Sequence, residues 1–180
     1  MTQQWPRRKP IRLRHYDYRE AGAYFITICT REREPLFDDS RMREIASDAW
    51  RSLPEHHAGV EIDEFVLMPN HVHGILFLDG RHVDVGAQPA APAVHVAPGS
   101  LGAVVRSYKV AVTGAAHASG PSFGASIWQR NYHDRIIRSD RALQAIRQYI
   151  IDNPARWAFD RYNPDGAVDA REQAFWMESA

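Results

Sequence analysis

The chain has 180 residues, 44% of them hydrophobic and 24% charged, which suits a single soluble domain able to bury a sizeable core. No apolar run approaches the roughly 20 residues of a membrane-spanning helix, and the basic start Arg7-Arg8-Lys9 leads into further charge, so membrane and secreted classes are set aside and a cytoplasmic protein is expected. The one cysteine, Cys29, excludes an internal disulfide and a multi-cysteine zinc site and reads as a core residue.

In chain order, residues 1–22 read as a basic arm: over residues 1–19, Arg7, Arg8, Lys9, Arg12, Arg14 and Arg19 stand against Asp17 alone. Lys+Arg and Asp+Glu both total 22, so net charge does not point to a polyanion, but the distribution does. Of the basic residues 20 are Arg, a type suited to bidentate phosphate contact. Ala23-Tyr24-Phe25-Ile26-Thr27-Ile28-Cys29-Thr30, dense in β-branched and aromatic side chains, predicts a central strand. Asp39-Ser40 caps a helix over about 41–53 whose stripe is Met42, Ile45, Ala46 and Trp50, ended by Pro54. Strands at about 60–68 and 71–78, parted by Pro69-Asn70, form a hairpin. Residues 79–100, rich in Ala, Pro and Gly, read as a loop, and Ser100 caps a helix at 101–113. A flexible stretch at 114–124 precedes a strand-like run from Ile127 to Arg138. Asp140 then caps a helix reaching about Asn153, where Pro154 stops it, and residues 159–180 form a polar, acidic tail. The order β, α, β, β, α, β, α predicts an α+β domain, a ferredoxin-like antiparallel sheet with helices packed on one face, over residues 23–158.

Chemistry concentrates on His71-Val72-His73. The two-residue strand period points both imidazoles to one face, as a chelating pair requires, in company with Ile75 and Phe77. On the helix at 140–153, Tyr149 and Asn153 fall on the inward face with Ile146 and Ile150, one turn apart. Two imidazoles and an amide oxygen make a mixed nitrogen and oxygen site suited to Mg²⁺ or Mn²⁺. Beside such an ion a tyrosine is a competent oxygen nucleophile toward a phosphodiester.

Leu67-Met68-Pro69-Asn70-His71-Val72-His73, Trp128-Gln129-Arg130-Asn131-Tyr132, Ile136-Ile137-Arg138 and Tyr149-Ile150-x-x-Asn153-Pro154 together resemble the REP-associated tyrosine transposases, relatives of the single-tyrosine HUH transposases of bacterial insertion sequences. Tyr16-Asp17-Tyr18 and the strand Gly22 to Thr30 extend the match, which spans about residues 7 to 157. The resemblance implies an HUH endonuclease-like core with His71, His73 and Asn153 as metal ligands and Tyr149 as the nucleophile. It further implies a 5′-phosphotyrosine on single-stranded DNA and recognition of short palindromes folded as hairpins. Expected partners are therefore single-stranded or hairpin DNA, with no membrane and no small-molecule substrate. Phosphate contacts are expected from Arg7, Arg8, Lys9, Arg12 and Arg14 and from Arg106, Lys109, Arg130, Arg135 and Arg138. Two other readings stay open: a domesticated protein that binds hairpins without cutting, and a metal-dependent nuclease in which water attacks and Tyr149 is core.

Overall fold

The computed structural model describes residues 17–81, 99–120, 126–167 and 169–177. A four-stranded antiparallel sheet organises them, in the order β2-β3-β1-β4, built from β1 (Gly22–Cys29), β2 (Val60–Met68), β3 (His71–Leu78) and β4 (His133–Ile137). This is the expected α+β, ferredoxin-like arrangement. The two most apolar strands, β1 and β3, take the centre, where both faces are covered and a continuous apolar run can be buried. Pro69-Asn70 turns the β2–β3 hairpin tightly, pairing Met68 with His71.

The helices divide between the two faces. Alternate residues Tyr24, Ile26, Ile28, Val72 and Leu76 point to one side, against α1 (Ser40–Arg51) and α3 (Leu101–Ala118). The other set, Ala23, Phe25, Ile75 and Ile137, packs under α4 (Asp140–Asp152). One-sided packing thus holds for α1 and α3, while α4 covers the opposite face, because Ile146, Tyr149 and Ile150 form a stripe that only the second face of the sheet can bury. Arg147 ties α4 to β2 through Asp63, at 2.6 Å.

Local signals account for most helix ends. Asp39 accepts from the backbone N–H of Met42 at 2.9 Å and starts α1. Pro54 does not terminate the chain's helical course; it sits in the first turn of a short helix, α2 (Leu53–His56), where its missing N–H costs nothing. The cap of α4 is Ser139, which accepts from the Ala142 N–H, with Asp140 in the first turn. The expected flexible stretch after 113 is instead helical to Ala118. Val112 and Ala116 continue the buried stripe of Val104, Val105 and Tyr108, and that burial outweighs the weak propensity of Gly114.

The first core is tightest where Trp50 lies over β3. A Cβ placed on Gly74 would meet the Trp50 ring at 2.2 Å. Gly74→Ala is therefore expected to lower stability by about 1–3 kcal/mol, as overpacking does, read as a fall in Tm without change in the far-ultraviolet spectrum. Cys29 is buried, and burial pushes its thiol up to about 11, as befits an inert core residue. No helix among the described residues is long and apolar enough to cross a membrane.

Candidate metal and tyrosine centre

His71 and His73 stand on β3 beneath α4, fully buried, with ring centroids 4.4 Å apart. The strand has a neighbour on each side, so neither imidazole can turn to solvent. Their inner nitrogens are fixed by neighbours. Asn70 Nδ2 donates to the carbonyl of Tyr162 at 2.8 Å, which leaves its Oδ1 to accept from His71 Nδ1, also at 2.8 Å. His71 therefore carries its proton on Nδ1 and presents a bare lone pair at Nε2. His73 Nδ1 lies 2.9 Å from Thr27 Oγ1, and its Nε2 lies 3.4 Å from the Tyr149 hydroxyl. Burial lowers both imidazoles, His71 well below the usual range and His73 to about 3, so both are neutral at physiological pH.

Asn153, at the C-terminal end of α4, is 3% exposed and its Oδ1 finds no hydrogen-bond partner among the described residues. A fourth donor comes from Asp160, just beyond the 3-10 turn Pro154–Phe159. Its Oδ1 accepts from the Tyr162 N–H at 2.6 Å, whereas Oδ2 faces His71 Nε2 at 3.7 Å with no proton between them. Ligand atoms of His71, His73 and Asp160 all lie within 4.8 Å of one another. Burial raises the Asp160 carboxyl to about 6, partly offset by the Tyr162 N–H.

Three buried electron-pair donors, His71 Nε2, Asn153 Oδ1 and Asp160 Oδ2, are thus left without a donor hydrogen. Each such group costs about 1–3 kcal/mol unless something positive satisfies it. A divalent cation would do so, and His71, His73 and Asp160 form a group that could hold one.

Tyr149 is 8% exposed. Its ring meets Phe25 edge-on at 6.1 Å and stacks flat on Phe175 at 4.1 Å. Phe175 belongs to α5 (Ala170–Met177), as does Glu172, whose Oε1 accepts the Tyr149 hydroxyl at 3.0 Å. Burial and the Glu172 carboxylate both raise the phenol's pKa. Tyr149, Asn153, Arg156, Asp160 and Glu172 line one cleft, and Arg156 is tied to Asp169.

The basic residues are scattered by comparison. Arg7, Arg8, Lys9, Arg12 and Arg14 lie outside the described residues. Arg106 and Lys109 sit on α3, across the sheet from the histidines, and Lys109 Nζ donates to the carbonyls of Gln129 and Asn131 at 2.8 and 3.0 Å. That ammonium staples a loop, and burial lowers it to about 8. Arg130 and Arg138 are exposed, while the Arg135 guanidinium carbon lies 5.7 Å from the Phe175 ring. Asp160, Tyr162, Glu172 and Phe175 are the site residues that sequence reasoning missed. The stretch read as an acidic tail also holds Phe159, Tyr162, Phe175 and Trp176, and that aromatic density was the available signal.

No family model matches the chain. It belongs to one family with an uncharacterised protein of Haemophilus influenzae, 34% identical over 171 residues that cover 88% of this chain and 94% of the relative. Among solved structures, that of a REP-associated tyrosine transposase bound to a REP hairpin aligns with a TM-score of 0.57 at 22% identity. The alignment covers 81% of this chain and 73% of that one, and the two share a fold.

Proposed function

We propose that this chain, which shares its fold with a hairpin-bound REP-associated tyrosine transposase, is a metal-dependent DNA strand transferase of the same kind. In this reading it nicks and rejoins single-stranded DNA at hairpin-forming palindromes through Tyr149. The observation that carries the reading is the Tyr149 hydroxyl 3.4 Å from His73 Nε2, beside the unpartnered donor atoms of His71, Asn153 and Asp160. His71, His73, Asn153 and Asp160 would hold Mn²⁺ or Mg²⁺, and the ion's chemistry would be to polarise the phosphodiester and favour the phenolate. Tyr149 Oη forms the bond to phosphorus, the 3′ oxygen leaves, and the phenol's proton is the one that oxygen finally carries. The 5′-phosphotyrosine keeps the bond energy for rejoining. Asn70 acts by fixing the His71 tautomer, so that its Nε2 lone pair faces the cation, and Thr27 holds the His73 ring in place.

An attacked phosphorus must come about as close to Tyr149 Oη as Glu172 stands in this structure, so α5 borders the approach to the hydroxyl. The test is incubation of the full chain with an end-labelled hairpin carrying single-stranded flanks, with Mn²⁺ and with chelator, followed by denaturing electrophoresis. A covalent protein–DNA band supports strand transfer. Free cleaved DNA with no adduct points to attack by water, and tight hairpin binding without cleavage points to a binding protein.

Cation affinity should also depend on pH in a defined direction. Asp160 keeps a proton up to about pH 6, which a cation must displace, whereas His71 and His73 are already neutral there. Mn²⁺ affinity is therefore expected to fall as pH drops through about 6, and Asp160→Asn to weaken binding at neutral pH and flatten that dependence, read by electron paramagnetic resonance of free Mn²⁺. An unaltered profile in the variant would remove Asp160 from the donor set.

A further inference from the structure

Beside the donor atoms lies a second group of side chains, gathered around Tyr162. Its ring is 4.8 Å from that of His71 and 5.8 Å from that of His73. The guanidinium carbon of Arg33 sits 5.0 Å from the Tyr162 centroid and that of Arg161 5.5 Å, with the His133 ring 6.2 Å away. These groups come from three separate places: the turn after β1, the turn after the Pro154–Phe159 helix, and the first residue of β4. Separate segments deliver Arg, Arg and His to one ring, and the two guanidinium charges are held near each other against their repulsion.

The turn bearing Arg33 is unusual in itself. Glu32 and Arg33 adopt φ of 52° and 60°, a left-handed backbone that side chains other than glycine rarely take. The turn is held there by Arg31 N–H donating to the Ile127 carbonyl at 2.8 Å and by Thr30 Oγ1 donating to the carbonyls of Glu34 and Asn70. Arg33 Nη1 then donates to the Arg161 carbonyl at 3.1 Å, bracing one arginine against the segment that carries the other. Burial first, and then the charges of Arg161 and Arg33, lower His133, so both guanidiniums act on the one imidazole that shares the Tyr162 ring with them. Arginines held against an aromatic ring lose less freedom on binding, and their planar forks match phosphate oxygens.

We infer that Arg33, Arg161 and His133 form a phosphate-binding site for the DNA backbone, seating a phosphodiester adjacent to the one that Tyr149 attacks. The inference rests on the strand-transfer reading, to which it adds a backbone anchor on the His71 side of the centre. Its contacts are to phosphate, so they set the register of the strand and do not select its sequence.

The test uses the full chain with Mn²⁺ and a fluorescent hairpin bearing single-stranded flanks, alongside a scrambled strand of equal length, in a salt titration. Arg33→Gly suits the φ of 60° and removes the whole side chain, guanidinium included, and Arg161→Gln is examined alone and combined with it. Each lost contact should flatten the slope of log affinity against log salt by about 0.7, and the double variant by about 1.4, equally for both DNAs. Arg33→Lys should recover most of the slope, which a purely structural role of the turn would not predict. Mn²⁺ affinity should stay at its wild-type value. If wild-type protein binds DNA and the double variant keeps its slope, the anchor is refuted while strand transfer stands. If wild-type protein binds neither DNA, both readings fall together.

Discussion

Tyr149→Phe is expected to lower hairpin nicking by at least about a thousandfold while DNA and Mn²⁺ affinities stay within a factor of about two. Only the hydroxyl is lost. The ring keeps its stack on Phe175 and its edge contact with Phe25, so the packing of α4 on the sheet survives. Glu172 loses the hydrogen atom it accepts while remaining 6% exposed, which should cost about 1–2 kcal/mol of stability or loosen α5. Quantified cleavage of a labelled hairpin, together with anisotropy and thermal unfolding, separates these effects. Wild-type nicking by the Phe variant would move the chemistry away from Tyr149.

The second large effect is expected at the histidines. His73→Ala removes a donor that no neighbour can replace, since Thr27 and Phe25 flank the ring on the sheet and Tyr149 stands on its other side at a centroid distance of 5.4 Å. Mn²⁺ affinity should fall by more than about a hundredfold and nicking should vanish, with His71→Ala behaving alike and chelator reproducing both in wild-type protein. Asn153→Ala should be milder, because water substitutes readily for an amide oxygen. Isothermal titration with Mn²⁺ on the three variants gives the ranking. Full nicking by His73→Ala in the presence of chelator would exclude a metal centre altogether.

The fold was legible where side-chain period and burial agree. The alternation through His71, His73, Ile75 and Phe77 placed the imidazoles on one face, and the 3.6-residue stripe of α4 brought Tyr149 and Asn153 to that face. Two kinds of feature escaped. Helix α3 runs five residues past its expected end because Val112 and Ala116 are buried by a partner helix that the local sequence does not reveal. Asp160 joins the donors because a 3-10 turn after Pro154 carries the chain back over β3, and such turns have no hydrophobic period to read. Glu172 and Phe175 lie on a helix of eight residues with a weak apolar stripe, whose place is set by contacts of Phe175 with Tyr149, Phe25 and Arg135 and by the Glu172 hydrogen bond. Among the basic residues charge alone was a poor guide. Lys109 looked available for phosphate yet holds two carbonyls, while Arg33 and Arg161 sit near the centre without belonging to any basic run.

Residues Ala170–Met177 also leave the ribosome after every strand and after α4. At roughly 5–20 residues per second, the interval between the emergence of Asn153 and that of Met177 is on the order of seconds, long compared with helix docking. The sheet, the histidines and Tyr149 can therefore assemble before the helix that covers the hydroxyl exists. Anything that keeps α5 from settling, such as a bulky domain fused on its C-terminal side or a purification tag trapped against the cleft, acts on the accessibility of one oxygen atom rather than on the fold. A tag placed on that side therefore decides which form of the protein an assay samples.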